Sequence, residues 1–183
     1  MLNLLLVAFS VVVYQVSCAC DFPNGTATTL HWWQCGGDPY VHFNDAVATD
    51  TSGKQEYPIR LTEPLIVKSN IVNNLGVFSD PNLVEGVTIW QYAKSWSGSS
   101  CSWEEVPTFG LFDNVNACEL GGVQCPVNTG NQLVTIKLDF TAFQSIINGL
   151  PNDVPYQMKI TLTDNKTGKG ACVMAQARAY TKK

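Results

Sequence analysis

Two cysteines, Cys118 and Cys125, fence the glycine-containing loop CELGGVQC. Just beyond it Val134, Ile136, Leu138 and Phe140 alternate with Thr135, Lys137 and Asp139. That alternation is the period of a strand with one buried face, so the closed loop feeds directly into β structure. Cys35 and Cys172 place the loop inside a wider frame, one early and one late in the chain. Seven cysteines become six if Cys18 leaves with an export signal, and an even set in an exported chain argues for disulfides rather than metal. Two histidines, His31 and His42, leave little for a zinc site. Pairing Cys118 with Cys125 would close the small loop, and Cys35 with Cys172 would tie the domain's ends together. Cys20 with Cys101 then remains by elimination, although six cysteines leave other pairings open.

Export is suggested by MLNLLLVAFSVVVYQVSCAC, a largely apolar opening run followed by small residues that suit signal peptidase, although no Lys or Arg marks its start. The expected division is a signal peptide over 1–19 and one domain over 20–183. About 165 residues is a usual length for a single domain. Only 14% of residues are charged, against roughly 25% in ordinary globular chains, so apolar surface must be buried in a core, a cavity or a partner. Asn24-Gly-Thr26 and Asn165-Lys-Thr167 are glycosylation sequons, the second within the turn-forming run DNKTGKG.

Strand patterns dominate. Tyr156, Met158, Ile160 and Leu162 alternate with Gln157, Lys159, Thr161 and Thr163. Beyond the DNKTGKG turn, Ala171, Val173, Ala175, Ala177 and Ala179 share one face, opposite Cys172, Met174, Gln176, Arg178 and Tyr180. Further strands are expected over 40–48, 59–61, 65–72, 77–79 and 84–93, separated by TSGK, VNNLG and SDPN. TAFQSIING, 141–149, suits one or two helical turns. Seven or eight short strands with regular turns predict an all-β, antiparallel, two-sheet sandwich of immunoglobulin type.

Searches for catalytic motifs find no G-x-S-x-G elbow, no H-E-x-x-H and no glycine-rich phosphate loop. Glu104 and Glu105 would point to opposite faces of a strand, and His42 reads as a strand residue. An enzyme is therefore not expected, no cofactor or metal is implied, and nucleic acid suits an acidic, exported chain poorly. Aromatic residues concentrate at Trp90, Tyr92, Trp96, Trp103, Phe109 and Phe112, which would either cap the sandwich or line an apolar mouth that meets a bilayer. Residues 156–183 carry six basic groups against Asp164, +5, while the remainder carries −9. Such a basic end could attract anionic headgroups or serve only as solubilising charge. With a sequence pI near 5.0, net negative charge falls away in an acidic lumen.

Cys35 followed by GGDP, the strand series, the C-x(6)-C-P pair ending at Pro126, and Gly-Ala-Cys172 in the last strand together resemble the ML lipid-recognition domain family. WQCGGDP, EPLIVKSN, GSSCSWEE and GLPNDVPYQMKI are most similar to its ganglioside-activator branch. The resemblance implies a sandwich whose sheets are splayed to hold lipid, with Cys35–Cys172 as an end-to-end bridge and Cys118–Cys125 as a loop bridge. It implies binding and transfer of a glycosphingolipid or other amphipathic lipid, transient contact with a membrane surface, and presentation of the lipid to a lysosomal hexosaminidase-type hydrolase. The lysosome or the extracellular space would be the site of action. Val106 and Val123 stand where activators carry further cysteines, and Leu150 stands near their bilayer-contacting tryptophan. The residues expected to line the cavity are Trp90, Tyr92, Phe109, Leu111, Phe112, Leu138, Phe140, Phe143, Ile146, Ile147, Leu150, Met158 and Ile160, with 149–154 as a lid. A sterol or fatty-acid carrier of the Niemann-Pick type C soluble kind and a secreted receptor-binding immune module are the alternatives.

Overall fold

The computed structural model describes residues 20–36, 40–95, 98 and 100–182. The signal-peptide reading at 1–19 lies outside the described residues, as do Trp96, Lys183 and Gly37 to Pro39 of the GGDP motif.

Two sheets face each other. The larger is built on the hairpin of β10 (Val154–Asp164) and β11 (Lys169–Tyr180), with β1 (His31–Gln34) beyond β11. On the other side of β10 come β6 (Leu83–Lys94) and β7 (Cys101–Glu105). The short β4 (Ile59–Arg60) runs parallel to the end of β11, and β8 (Val115–Asn116) pairs with β6. In the smaller sheet β5 (Leu65–Asn73) has β2 (Val41–Phe43) and β3 (Val47–Thr49) along one edge and β9 (Gly130–Leu138) along the other. All pairings other than β4 with β11 are antiparallel. The chain is an immunoglobulin-like β-sandwich.

The alternating patterns set the inner faces. β10 directs Tyr156 and Ile160 inward, β9 directs Val134 and Ile136, and β5 directs Leu65 and Ile71, all buried. Register confirms the parity, since Ile160 stands opposite Val87 on one side and Val173 on the other. Glu104 and Glu105 stand opposite Gln91 and Trp90 and so point to opposite faces. The expected strand over 40–48 is interrupted, because Asp45 accepts the Asn70 backbone N–H and side-chain amide, both at 2.6 Å, and turns the chain between β2 and β3. Residues 77–79 contribute only the bridge Phe78–Val127. The helical stretch is one 3-10 turn, Thr141–Phe143, followed by α1 (Gln144–Ile147).

All three bridges form as paired in the sequence reading. Cα separations are 5.1 Å for Cys35–Cys172, 5.5 Å for Cys118–Cys125 and 5.9 Å for Cys20–Cys101, within the ordinary span. The Cys20–Cys101 bridge anchors an N-terminal strap that crosses the outer face of the larger sheet. Phe22 lies 5.0 Å from the Arg178 guanidinium, and the Asn24 amide donates to Gln176 Oε1 at 2.7 Å. The strap then turns the edge at Thr26, whose carbonyl accepts the Tyr57 hydroxyl at 2.5 Å.

Candidate functional site: an apolar cavity between the sheets

Buried apolar residues fall into two clusters. One surrounds Leu83, Val123 and Ile136, and the other surrounds Leu65, Tyr156 and Ala179. A cavity of about 150 Å³ takes its wall from both. Leu65 and Val67 of β5 and Ile136 and Leu138 of β9 form one side. Ile89 of β6, Met158 and Ile160 of β10, and Val173, Ala175, Ala177 and Ala179 of β11 form the other. The alanines on β11 withhold side-chain volume from the space between the sheets, and that keeps the core open.

Two segments make the mouth. Val106, Pro107, Thr108, Leu111 and Phe112 come from the loop after β7. Phe140, Phe143, Ile146, Ile147 and Leu150 come from the helical stretch. The Phe112 ring meets Phe143 at 5.1 Å and Phe140 at 6.4 Å, both edge-on, so three rings join the segments. Leu111 is 45% and Ile146 40% exposed although both reach the cavity. Phe109, 83% exposed, forms the tip of its loop with Gly110, both at positive φ (53° and 76°). A bulky side chain rarely occupies that region, and such strain accompanies functional loops. Neither 106–112 nor 140–151 contains a charged residue.

The wall gives almost no polar contact. Ser69 donates to the Asp45 carbonyl at 2.5 Å, and the Tyr156 hydroxyl donates to the Pro151 carbonyl at 2.6 Å. Gln157 Oε1 accepts the Gln176 amide at 2.6 Å. Burial holds the Tyr156 phenol above its ordinary pKa, so the ring stays neutral. Among the described residues no charged side chain lines the space. A lining of this kind gives water few partners and suits apolar groups.

Ten of the thirteen residues expected at the site line the cavity: Leu111, Phe112, Leu138, Phe140, Phe143, Ile146, Ile147, Leu150, Met158 and Ile160. Trp90 and Tyr92 do not. They share the parity of Thr88 and point to the outer face of the larger sheet, where Tyr92 packs against Trp103 at 5.0 Å. Phe109 stands at the rim and does not reach the wall. Among the lining residues the sequence reading missed, Ile59, Leu65, Val67 and Ile89 had the inward parity of their strands as a signal, and Trp32 and Leu30 had none.

The expected lid at 149–154 is fastened down. Thr181 donates from its hydroxyl to the Leu150 carbonyl at 3.2 Å and from its backbone N–H to Asn152 Oδ1 at 2.9 Å. Asp153 pairs with Arg178 at 2.5 Å. The basic end also divides. Lys166 and Lys169 lie at the β10–β11 turn, roughly 30 Å along the strand from Tyr156 at the mouth. Both sequon residues, Asn24 and Asn165, are exposed.

No family model matches the chain. No curated protein matches it either. Among solved structures, a Niemann-Pick type C2 protein from Japanese carpenter ant is similar over 81% of this chain and 98% of its own, at 14% identity and a TM-score of 0.45. The C-terminal domain of wzt is similar over 84% of this chain and 80% of its own, at 11% identity and a TM-score of 0.40.

Proposed function

We propose that this chain is a lipid carrier that encloses the apolar part of an amphipathic lipid between its sheets and leaves the headgroup at the mouth. The observation that carries the reading is the cavity wall, which is aliphatic and aromatic; of its polar side chains Ser69, Tyr156 and Gln157 have partners within the protein, and Thr108 stands at the mouth. A headgroup placed inside would lose its hydrogen bonds to water and gain almost none, at a cost of several kcal/mol. A hydrocarbon chain would gain roughly 0.8 kcal/mol per CH₂ withdrawn from water. The uncharged mouth segments, with Phe109, Leu111 and Ile146 exposed, suit contact with a membrane during loading.

The finer reading is extraction of a glycosphingolipid and its presentation to a lysosomal glycosidase. The order of the cysteine frame and the GSSCSWEE and GLPNDVPYQMKI segments support it through their resemblance to ganglioside activators. A sterol or single-chain fatty-acid carrier is the second reading, because from a volume of about 150 Å³ one chain or ring system asks for less widening than two. That space takes one small apolar group as it stands, and each longer chain needs the mouth rings to part further.

Organic extraction of the mature protein followed by mass spectrometry tests both. Glycosphingolipid or another two-chain lipid supports the activator reading and calls for a glycosidase-stimulation assay. Sterol or a single fatty acid supports the carrier. A lipid-free protein that takes up nothing from liposomes overturns both and leaves a receptor-binding module.

A further inference from the structure

Glu85 fits its surroundings least of any residue in β6. Strand parity turns it inward with Leu83, Val87 and Ile89, and it is 2% exposed at the end of the sandwich away from the mouth. Its Oε1 has no hydrogen-bond partner. The Cys118–Cys125 loop rests directly on the carboxyl: a Cβ at Gly121 would fall 1.9 Å from Glu85 Oε2 and 2.8 Å from the Ala117 Cα. Next to it Gly122, at φ 72°, lies so close to Lys137 that a Cβ would fall 2.0 Å from its carbonyl oxygen. The loop backbone is thus wedged between β9 and a buried carboxyl.

Among the described residues no neighbouring charge compensates Glu85, and burial pushes its pKa from 4.5 to about 7. Opposite it on β10 stands Leu162; the nearest titratable group on that strand is Asp164, which accepts the Thr167 hydroxyl at 2.8 Å and the Lys166 N–H at 3.3 Å. On β8 it faces Val115, followed by Asn116, whose amide donates to Asp80 at 2.6 Å. The disulfide loop carries Glu119, which is exposed, and on β9 the exposed Lys137 pairs with Asp139 at 3.5 Å.

We propose that Glu85 is a proton-dependent latch for the Cys118–Cys125 loop: the neutral carboxyl lets the loop close this end of the sandwich, and the carboxylate unseats it. In the seated loop the acid form is favoured. In the opened loop water restores an ordinary carboxylate. Loop closure is therefore strongest at and below the opened-state pKa, weakens as pH rises from there towards about 7, and stays weak above it. Over about pH 5 to about pH 8 the opening equilibrium should rise on the order of a hundredfold. The protein would then be most tightly closed in an acidic compartment, whichever ligand it carries.

Amide hydrogen exchange of the mature protein over that pH range, corrected for the intrinsic rate, reads the latch directly. Carboxyl NMR of the ¹³C-labelled protein gives the Glu85 midpoint. A midpoint near 7, with protection of 117–125 falling across it while the β10–β11 hairpin stays protected, supports the latch. Glu85→Gln should make the loop's protection independent of pH, and Glu119→Gln should leave the wild-type profile. A Glu85 midpoint below about 5, a flat wild-type profile, or the same pH dependence in Glu85→Gln overturns it. If Glu85→Gln fails to fold, the wild-type titration and exchange decide alone.

Discussion

Phe112 connects the two mouth segments by side chain while its backbone is held elsewhere, its carbonyl accepting the Val87 N–H at 3.0 Å. Replacing the ring therefore opens the mouth without releasing the loop. Each edge-on aromatic contact contributes about 0.5–1.5 kcal/mol beyond burial, so Phe112→Ala, which also loses the burial of the ring, should lose roughly 2–5 kcal/mol of stability in urea unfolding. It should also release a bound fluorescent fatty acid about tenfold faster in stopped flow. An unchanged release rate would place the barrier to exit elsewhere. Tyr156→Phe separates packing from fastening at the same site. It keeps the ring on the wall and leaves the Pro151 carbonyl without its donor, at about 1 kcal/mol, with ligand affinity expected to stay within twofold by titration.

At the level of elements, β11 leaves the room between the sheets. Its inward alanines were legible as one face of a strand from alternation alone, yet their meaning was not, because an alanine face reads as plain packing until an opposing sheet stands too far away to fill it. Ala175→Phe should occupy that room. Lipid uptake should fall by tenfold or more, while stability without lipid stays level or rises, measured by binding and thermal unfolding of the same sample. Loss of both would mean the space is too small for the ring, and Ala175→Leu would then repeat the test. β6 shows why Trp90 and Tyr92 were misplaced. Its inward row, Leu83, Glu85, Val87 and Ile89, contains a carboxyl group, and its outward row contains the large aromatics, so hydrophobicity pointed to the wrong face. The N-terminal strap held by Cys20–Cys101 crosses that outer face, a long-range contact invisible to local periodicity. Residues 149–154 misled for a related reason: glycine, proline and polar residues suggest a mobile loop, but their partners Arg178 and Thr181 are distant in sequence. The Asp153 carboxyl is held below its ordinary pKa by hydrogen bonding to Arg178. Its support for this loop is present at neutral pH and is lost as pH falls below the ordinary carboxylate range, opposite in sign to Glu85.

The whole molecule combines an incomplete core with long covalent ties. At roughly 24 cal/mol per Å³, the empty space of about 150 Å³ costs about 3–4 kcal/mol, a large share of the stability usual for a single domain. Cys35 and Cys172 are 137 residues apart, and in the chain-entropy model a bridge of that span contributes about 5 kcal/mol. The two terms oppose each other, so a sandwich with such a void depends on the bridge when empty and would depend on it less if a ligand filled the space. The dependence can be measured. At a hundredfold excess over Kd, a lipid that binds only the folded state adds about 2.7 kcal/mol, or roughly 5–10 °C in Tm for a domain of this size. The paired substitution Cys35→Ser and Cys172→Ser should lower the Tm of the lipid-free protein by more than that increment, and added lipid should recover part of the loss. Lipid should recover nothing in a chain that also carries Ala175→Phe, because a filled cavity no longer has the guest's volume to offer. Equal recovery with and without Ala175→Phe would show that lipid stabilises the protein from its surface.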